Sequence, residues 1–262
     1  MKIAIIGAGN MGGAIARALA AVADGYDITV ANPTQAKLDA IKASYPSVST
    51  TTDNVEAVVD ADVVILAVKP WLLNEVIDQI KPRLVYRRNV IISLAGGVSL
   101  DAIDEMLLRG DELPAVGRVI PNTALSLGKS MTFITSRRAD KDTLATIEAL
   151  FRHMGEVAVV EERMIDAATA LCSCGIAYVY KFIQANVQAG VELGFKPADA
   201  LRYVCATVEG AAAMLKQPEA TPQQEIDKVT TPGGMTIKGI NALEHSGFAS
   251  SVINAVLTPV KK

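Results

Sequence analysis

The chain has 262 residues, half of them hydrophobic and 20% charged, with a formal net charge of −3. That balance gives no electrostatic footprint for nucleic acid, and the length suits one or two domains with a substantial core. Three cysteines (Cys172, Cys174, Cys205) and two histidines (His153, His245) offer neither a disulfide framework nor a metal set at ligand spacing, which implies a reducing, cytoplasmic setting and no bound metal.

The opening stretch, MKIAIIGAGN, holds an apolar run that stops at glycine and is too short for a signal-peptide core. It reads as a strand over 2–7, then Gly7-Ala8-Gly9-Asn10-Met11-Gly12, then a helix over 11–23. A G-x-G-x-x-G between a first strand and a helix is a dinucleotide fingerprint. Gly7 serves the tight turn, Gly9 the approach of a pyrophosphate and Gly12 the helix packing, with Asn10 and Met11 at the helix start. The helix N-terminus then offers amides to the phosphates. A second strand over 28–32 ends on Asn32, where an acidic residue would hold the free ribose of NAD. Asn32, Thr34, Gln35 and Lys37 are neutral or basic and suit a 2′-phosphate. NADPH is therefore expected, with NADH as the alternative, since no arginine follows the strand to settle the choice.

Further strands are predicted over 49–51, 62–68, 89–93, 115–119, 131–134 and 156–159, and helices over 34–44, 71–80, 100–108 and 141–153. This alternation predicts an α/β fold with a parallel sheet, a Rossmann-type dinucleotide-binding domain over 1–160. Ligands of such sheets bind at the carboxyl edge. Ala67, Val68, Lys69 and Pro70 after the fourth strand, Ala95 and Gly96 after the fifth, and Asn122 after the sixth are thereby expected along the cofactor.

Over 161–262 the strands vanish, and helices are predicted over 163–193, 197–215, 221–229, 232–245 and 249–257, a second, all-α domain. Residues 164–183 carry only Asp166 and Lys181 as charges, with polar and glycine residues interspersed. No membrane span is expected there; the pattern predicts a helix buried in a core or subunit interface, hence a protein that is not a monomer. His153 and His245 read as residues of helix last turns rather than as an acid-base pair. In VTTPGGMTIKGI, residues 229–240, Thr231 and Pro232 read as N-cap and first helical position, yet Gly233 and Gly234 follow. Each glycine costs a helix about 1 kcal/mol relative to alanine.

Taken together, IGAGNMGGAIARAL, AVKP, RVIPNT, VTTPGGMTIKGINALE and SGFASSVINAV resemble the pyrroline-5-carboxylate reductases over nearly the whole chain, and TPGGMT is the most specific of these stretches. The resemblance implies reduction of 1-pyrroline-5-carboxylate to L-proline with NAD(P)H. It also implies a homodimer formed by the C-terminal all-α dimerisation domain, with a decamer as a further assembly. It maps the substrate loop onto Thr231, Gly233, Gly234, Met235 and Thr236, a glutamate before that loop onto Glu219, and a cofactor contact onto Asn54. The substrate carboxylate is expected on the amides of Gly234, Met235 and Thr236, and the Thr236 hydroxyl, the catalytic candidate, near the imine nitrogen. CSCGIAY, residues 172–178, departs from the family's SGSGPAY, and the lost proline bears on the kink of the long helix. Two other readings stay open: a β-hydroxyacid dehydrogenase with Lys181 as general acid, and a non-catalytic dinucleotide-binding sensor.

Overall fold

A computed structural model of the chain describes residues 1–22 and 25–261; the predicted end of the first helix, at position 23, lies outside the described residues. Every predicted strand is present: β1 (Lys2–Ile6), β2 (Asp27–Ala31), β3 (Ser49–Thr51), β4 (Val63–Leu66), β5 (Val90–Ser93), β6 (Ala115–Ile120), β7 (Ser130–Arg137) and β8 (Gly155–Val159). They form one sheet in the order β3-β2-β1-β4-β5-β6-β7-β8. Between the strands lie α1 (Asn10–Ala20), α2 (Gln35–Ser44), α3 (Asn54–Ala57), α4 (Leu73–Ile80), α5 (Leu100–Leu107) and α6 (Lys141–Arg152).

The expectation of a fully parallel sheet is corrected at one pair. Strands β1 to β6 are parallel, β7 returns antiparallel to β6, and β8 runs parallel to β7. The cause is length. Residues 121–129 hold only the 3₁₀ turn Thr123–Leu127, whereas a parallel crossover takes about a dozen residues or more.

The pleat of β1 sorts its side chains between two cores. Ile3 and Ile5 pack with Ile15 and Leu19 of α1 and with Leu150 and Phe151 of α6. Ala4 and Ile6 pack with Ile77 and Ile80 of α4 and Ile103 and Leu107 of α5. Burial on both faces explains why the strands read as continuous apolar runs rather than alternating ones.

After β8 come a 3₁₀ turn (Glu162–Met164), α7 (Ile165–Ala168) and a π turn (Thr169–Ser173), then α8 (Gly175–Glu192), α9 (Pro197–Leu215), α10 (Pro222–Val229), α11 (Met235–His245) and α12 (Phe248–Leu257). The single helix predicted over 163–193 is therefore broken ahead of α8, even without the proline. At the break the Thr169 hydroxyl donates to the Ile165 carbonyl (2.7 Å) and the Ser173 hydroxyl to the Pro121 carbonyl (3.2 Å).

By contacts the chain divides into two compact units, Met1–Ser173 and Cys174–Lys262. Residues 162–173 stay with the sheet because Arg118 of β6, with a side chain 5% exposed, pairs with Asp166 (3.2 Å) and Glu162 (3.7 Å). Arg137 of β7 reaches Glu162 as well (3.3 Å). In the second unit α8 lies against α9. A Cβ at Gly190 would come 3.0 Å from that of Ala200, and Phe195 and Tyr203 meet edge to face with centroids 5.7 Å apart. Among the described residues of this unit only Ala200 is buried. No helix of the described residues is long and apolar enough to cross a membrane.

Candidate functional site

The turn after β1 is shaped by backbone crowding. Gly7 has φ +104°, and a Cβ there would lie 2.7 Å from the Ala67 carbonyl oxygen; one on Gly12 would lie 1.9 Å from the Gly7 oxygen. Gly9 differs. It is the N-cap of α1, and a Cβ added to it would meet nothing within 4 Å. Helix α1 has no capping side chain and no acid in its first turn, so its leading amides have no intrahelical partner. Above them opens a cleft of about 1300 Å³.

Most of the predicted cofactor residues line this one cleft. Its lining includes Gly7, Gly9, Asn10 and Met11 of the turn and α1, Asn32 and Thr34 after β2, and Asn54 with Glu75 and Gln79 of α4. Ala67, Val68, Lys69 and Pro70 follow β4, and Ala95 and Gly96 follow β5. Two predicted residues do not line the cleft. Gly12 is packed beneath the turn, in keeping with its expected part in helix packing. Asn122 is buried; its Oδ1 accepts from the Ala124 amide (3.0 Å) and its own amide donates to Ser130 Oγ (3.1 Å). It shapes the turn from which Thr123 and Ser126, unforeseen in the sequence, reach the cleft.

Asn32 lines the cleft and is also bonded within the protein. Its Oδ1 accepts from the Ala8 amide (3.0 Å) and its Nδ2 donates to the Thr34 carbonyl (3.3 Å). The side chain thereby ties the glycine loop to the β2–α2 connection. Gln35 is bonded within its own helix to Asp39 (2.8 Å). Asn54 donates to Gln79 (2.8 Å), and α3, which begins at Asn54, is capped by Asp53, whose Oδ1 accepts from the Val55 amide (2.7 Å). Trp71, the single tryptophan, follows Pro70 and is 77% exposed.

In the second unit the TPGG stretch is a turn rather than a helix start. The Gly234 amide donates to the Thr231 carbonyl (2.9 Å), with Pro232 and Gly233 between them and Gly233 at φ +72°. Proline followed by a glycine at positive φ is the pattern of a type II turn. Helix α11 then starts at Met235 with Gly234 as its N-cap. The expectation that Thr231 caps the helix is thus corrected, and so is that of a free Gly234 amide, which the turn consumes. The open amides begin at Met235 and Thr236, again with no capping side chain and no acid in the first turn. A Cβ on Gly234 would lie 2.5 Å from Thr231 Oγ1, so both glycines have a reason in the fold.

Glu219 lies between α9 and α10 at φ +64°, a left-handed conformation that costs a residue with a side chain about 1–3 kcal/mol. It borders a hollow shared with Glu225, Asp227 and Lys228. The following helix is fixed by a capping box between Thr221 and Gln224. Lys181 on α8 donates to Gln184 (3.0 Å). His153 is the C-cap of α6 and shares a hydrogen bond with Tyr26 (3.0 Å), and His245 ends α11, as their positions suggested.

Two family models match the chain, one described as pyrroline-5-carboxylate reductase dimerisation over residues 162–262 and one as NADP oxidoreductase, coenzyme F420-dependent, over residues 2–97. A pyrroline-5-carboxylate reductase of Synechocystis sp. is 37% identical, spanning 98% of this chain and 94% of that relative. The solved structure of a pyrroline-5-carboxylate reductase from Coxiella burnetii is 34% identical with a TM-score of 0.88, covering 98% of this chain and 95% of that one. A Plasmodium falciparum pyrroline carboxylate reductase solved with NADP bound is 27% identical with a TM-score of 0.87, covering 99% of this chain and 95% of that one. With one model matched by the sheet domain, another by the helices, and relatives alike end to end, this chain belongs to the pyrroline-5-carboxylate reductase family.

Proposed function

We propose that this protein reduces 1-pyrroline-5-carboxylate to L-proline with NADPH. The observation that carries the reading is kinship over the full length, 37% identity across 98% of the chain. The cleft supports it independently: Gly9 opens onto free space, and Arg17, Lys37 and Lys69 line the cleft without a carboxylate partner among the described residues. Unpaired cations beside an uncapped helix start suit a phosphate-rich ligand.

In this reading Gly9, Asn10 and Met11 would hold the pyrophosphate on the α1 amides, Thr34 and Lys37 would serve the ribose end, Asn54 would contact the cofactor, and Val68 to Pro70 with Ala95 and Gly96 would serve the nicotinamide end. NADPH supplies the hydride that reduces the C=N carbon. The substrate carboxylate rests on the amides of Met235 and Thr236, which the turn through Thr231, Gly233 and Gly234 holds at the surface, and Glu219 lies at the edge of the substrate site. A charge-assisted hydrogen bond to an amide is worth about 1.5–3 kcal/mol. Thr236 orients the imine nitrogen. A threonine hydroxyl is a poor acid, so the nitrogen arrives already protonated or takes its proton from water. With an activated imine, positioning does most of the catalytic work.

The second unit forms a homodimer, and dimers assemble further into a decamer, in the cytoplasm. Domain roles divide as 1–160 for the cofactor and 161–262 for substrate and dimerisation. The test is NADPH oxidation by the purified protein with 1-pyrroline-5-carboxylate, alongside a panel of 3-hydroxy acids with NADP⁺. Turnover of the cyclic imine alone is expected, and Lys181→Met leaves it largely intact. Oxidation of a 3-hydroxy acid that is lost in Lys181→Met would overturn the reading.

A further inference from the structure

Arg17 lies on α1, beyond the glycine loop, and its guanidinium folds back along the helix. A Cβ on Gly13 would stand 3.3 Å from its Nη1 and 3.6 Å from its Nη2, so the glycine leaves room for the head group over the first turns of α1. The same cleft takes Thr34 and Lys37 from the β2–α2 side, and α1 packs beside α2. Arg88, Arg118, Arg137 and Arg138 all hold carboxylates; Arg17 and Lys37 hold none among the described residues. The end of β2 carries no acid, and Asn32 there accepts from the Ala8 amide and donates to the Thr34 carbonyl. The lining of the cleft thus includes two cations without a carboxylate among the described residues, Arg17 on α1 and Lys37 on the neighbouring α2, with hydroxyl-bearing Thr34 just ahead of α2.

We propose that Arg17 sets the preference for NADPH over NADH, by holding the 2′-phosphate together with Lys37. The proposal rests on the reading of the cleft as the cofactor site. A phosphate monoester offers several acceptor oxygens, and the planar fork of a guanidinium can engage two of them at once. NADH has hydroxyls there and gives Arg17 nothing of that kind to hold. The arginine that the β2 end lacks is thus supplied from the neighbouring helix.

The test is calorimetric binding of NADPH, NADH and adenosine 2′,5′-bisphosphate to the full-length protein and to Arg17→Met and Arg17→Lys. For Arg17→Met the dissociation constants of NADPH and the bisphosphate are expected to rise about tenfold or more, with that for NADH moving less than about twofold. Arg17→Lys is expected to recover part of the loss. NADH binding doubles as the control for a folded cleft. Equal weakening of NADPH and NADH would assign Arg17 to the shared pyrophosphate and overturn the proposal, as would unchanged NADPH affinity. Unmodified protein that binds neither nucleotide would overturn the cofactor reading of the cleft and the proposal with it.

Discussion

Glycines of one motif do different work, and substitution separates them. At Gly12 a methyl group would meet a backbone oxygen at 1.9 Å, so Gly12→Ala is expected to cost about 1–3 kcal/mol of stability, seen as a lower thermal midpoint. At Gly9 the methyl meets nothing within 4 Å but stands in the cleft, so Gly9→Ala is expected to leave the midpoint within about 1 °C and to weaken NADPH binding about tenfold. Matching behaviour of the two variants would refute the division. The sequence told which residues belong to this motif, because G-x-G-x-x-G spacing is set by the turn itself. It did not tell that Asn32 would be bonded to Ala8 and Thr34, nor that Arg17 would reach the cleft. Both depend on where one element lies beside another, which no local spacing records.

At the level of elements, the segment between β8 and α8 is held by an ion network rather than by apolar packing alone. Arg118 is nearly buried, and its Nε has no hydrogen-bond partner, so the side chain stays at some desolvation cost for the sake of Glu162 and Asp166. Glu162 in turn accepts from the Leu100 amide (2.5 Å) and from Arg137 (3.3 Å). Replacing Arg118 with Met is expected to destabilise the fold by about 1–3 kcal/mol in urea unfolding, below the loss for a fully buried pair, because Asp166 is 73% exposed and can rehydrate. A change under about 0.5 kcal/mol would mean that the network is incidental. The strands themselves were legible as apolar runs. The direction of β7 was not, since periodicity carries no sign. The four residues of α3 are too few to leave a helical period. TPGG was legible as an odd place for a helix but was misread as its first turn; proline before a glycine fits a type II turn equally well, and the Gly233 backbone decides it.

For the molecule as a whole, the contrast between its two units sets the expected assembly. The first unit encloses two cores, one on each side of the sheet. The second exposes Val179, Tyr180 and Phe182 of α8 and Leu201 and Tyr203 of α9, an apolar load that a lone copy leaves in water. Sedimentation at micromolar concentration is therefore expected to give a dimer or larger species, and a stable monomer would contradict the assembly proposed above. The greasy stretch over 164–183 had hinted at this, since its charge content is too low for a solvated helix.

The placement of Trp71 has an optical consequence. Tryptophan emits in the near ultraviolet where reduced nicotinamide absorbs, and this chain's single indole, 77% exposed, follows in the chain between Pro70 and Leu72, two residues that line the cleft. With the dinucleotide in the cleft as proposed, excitation energy collected by Trp71 could pass to the reduced form and not to the oxidised one, so quenching of its emission by NADPH beyond that by NADP⁺ is the expected readout of cofactor redox state, without a label.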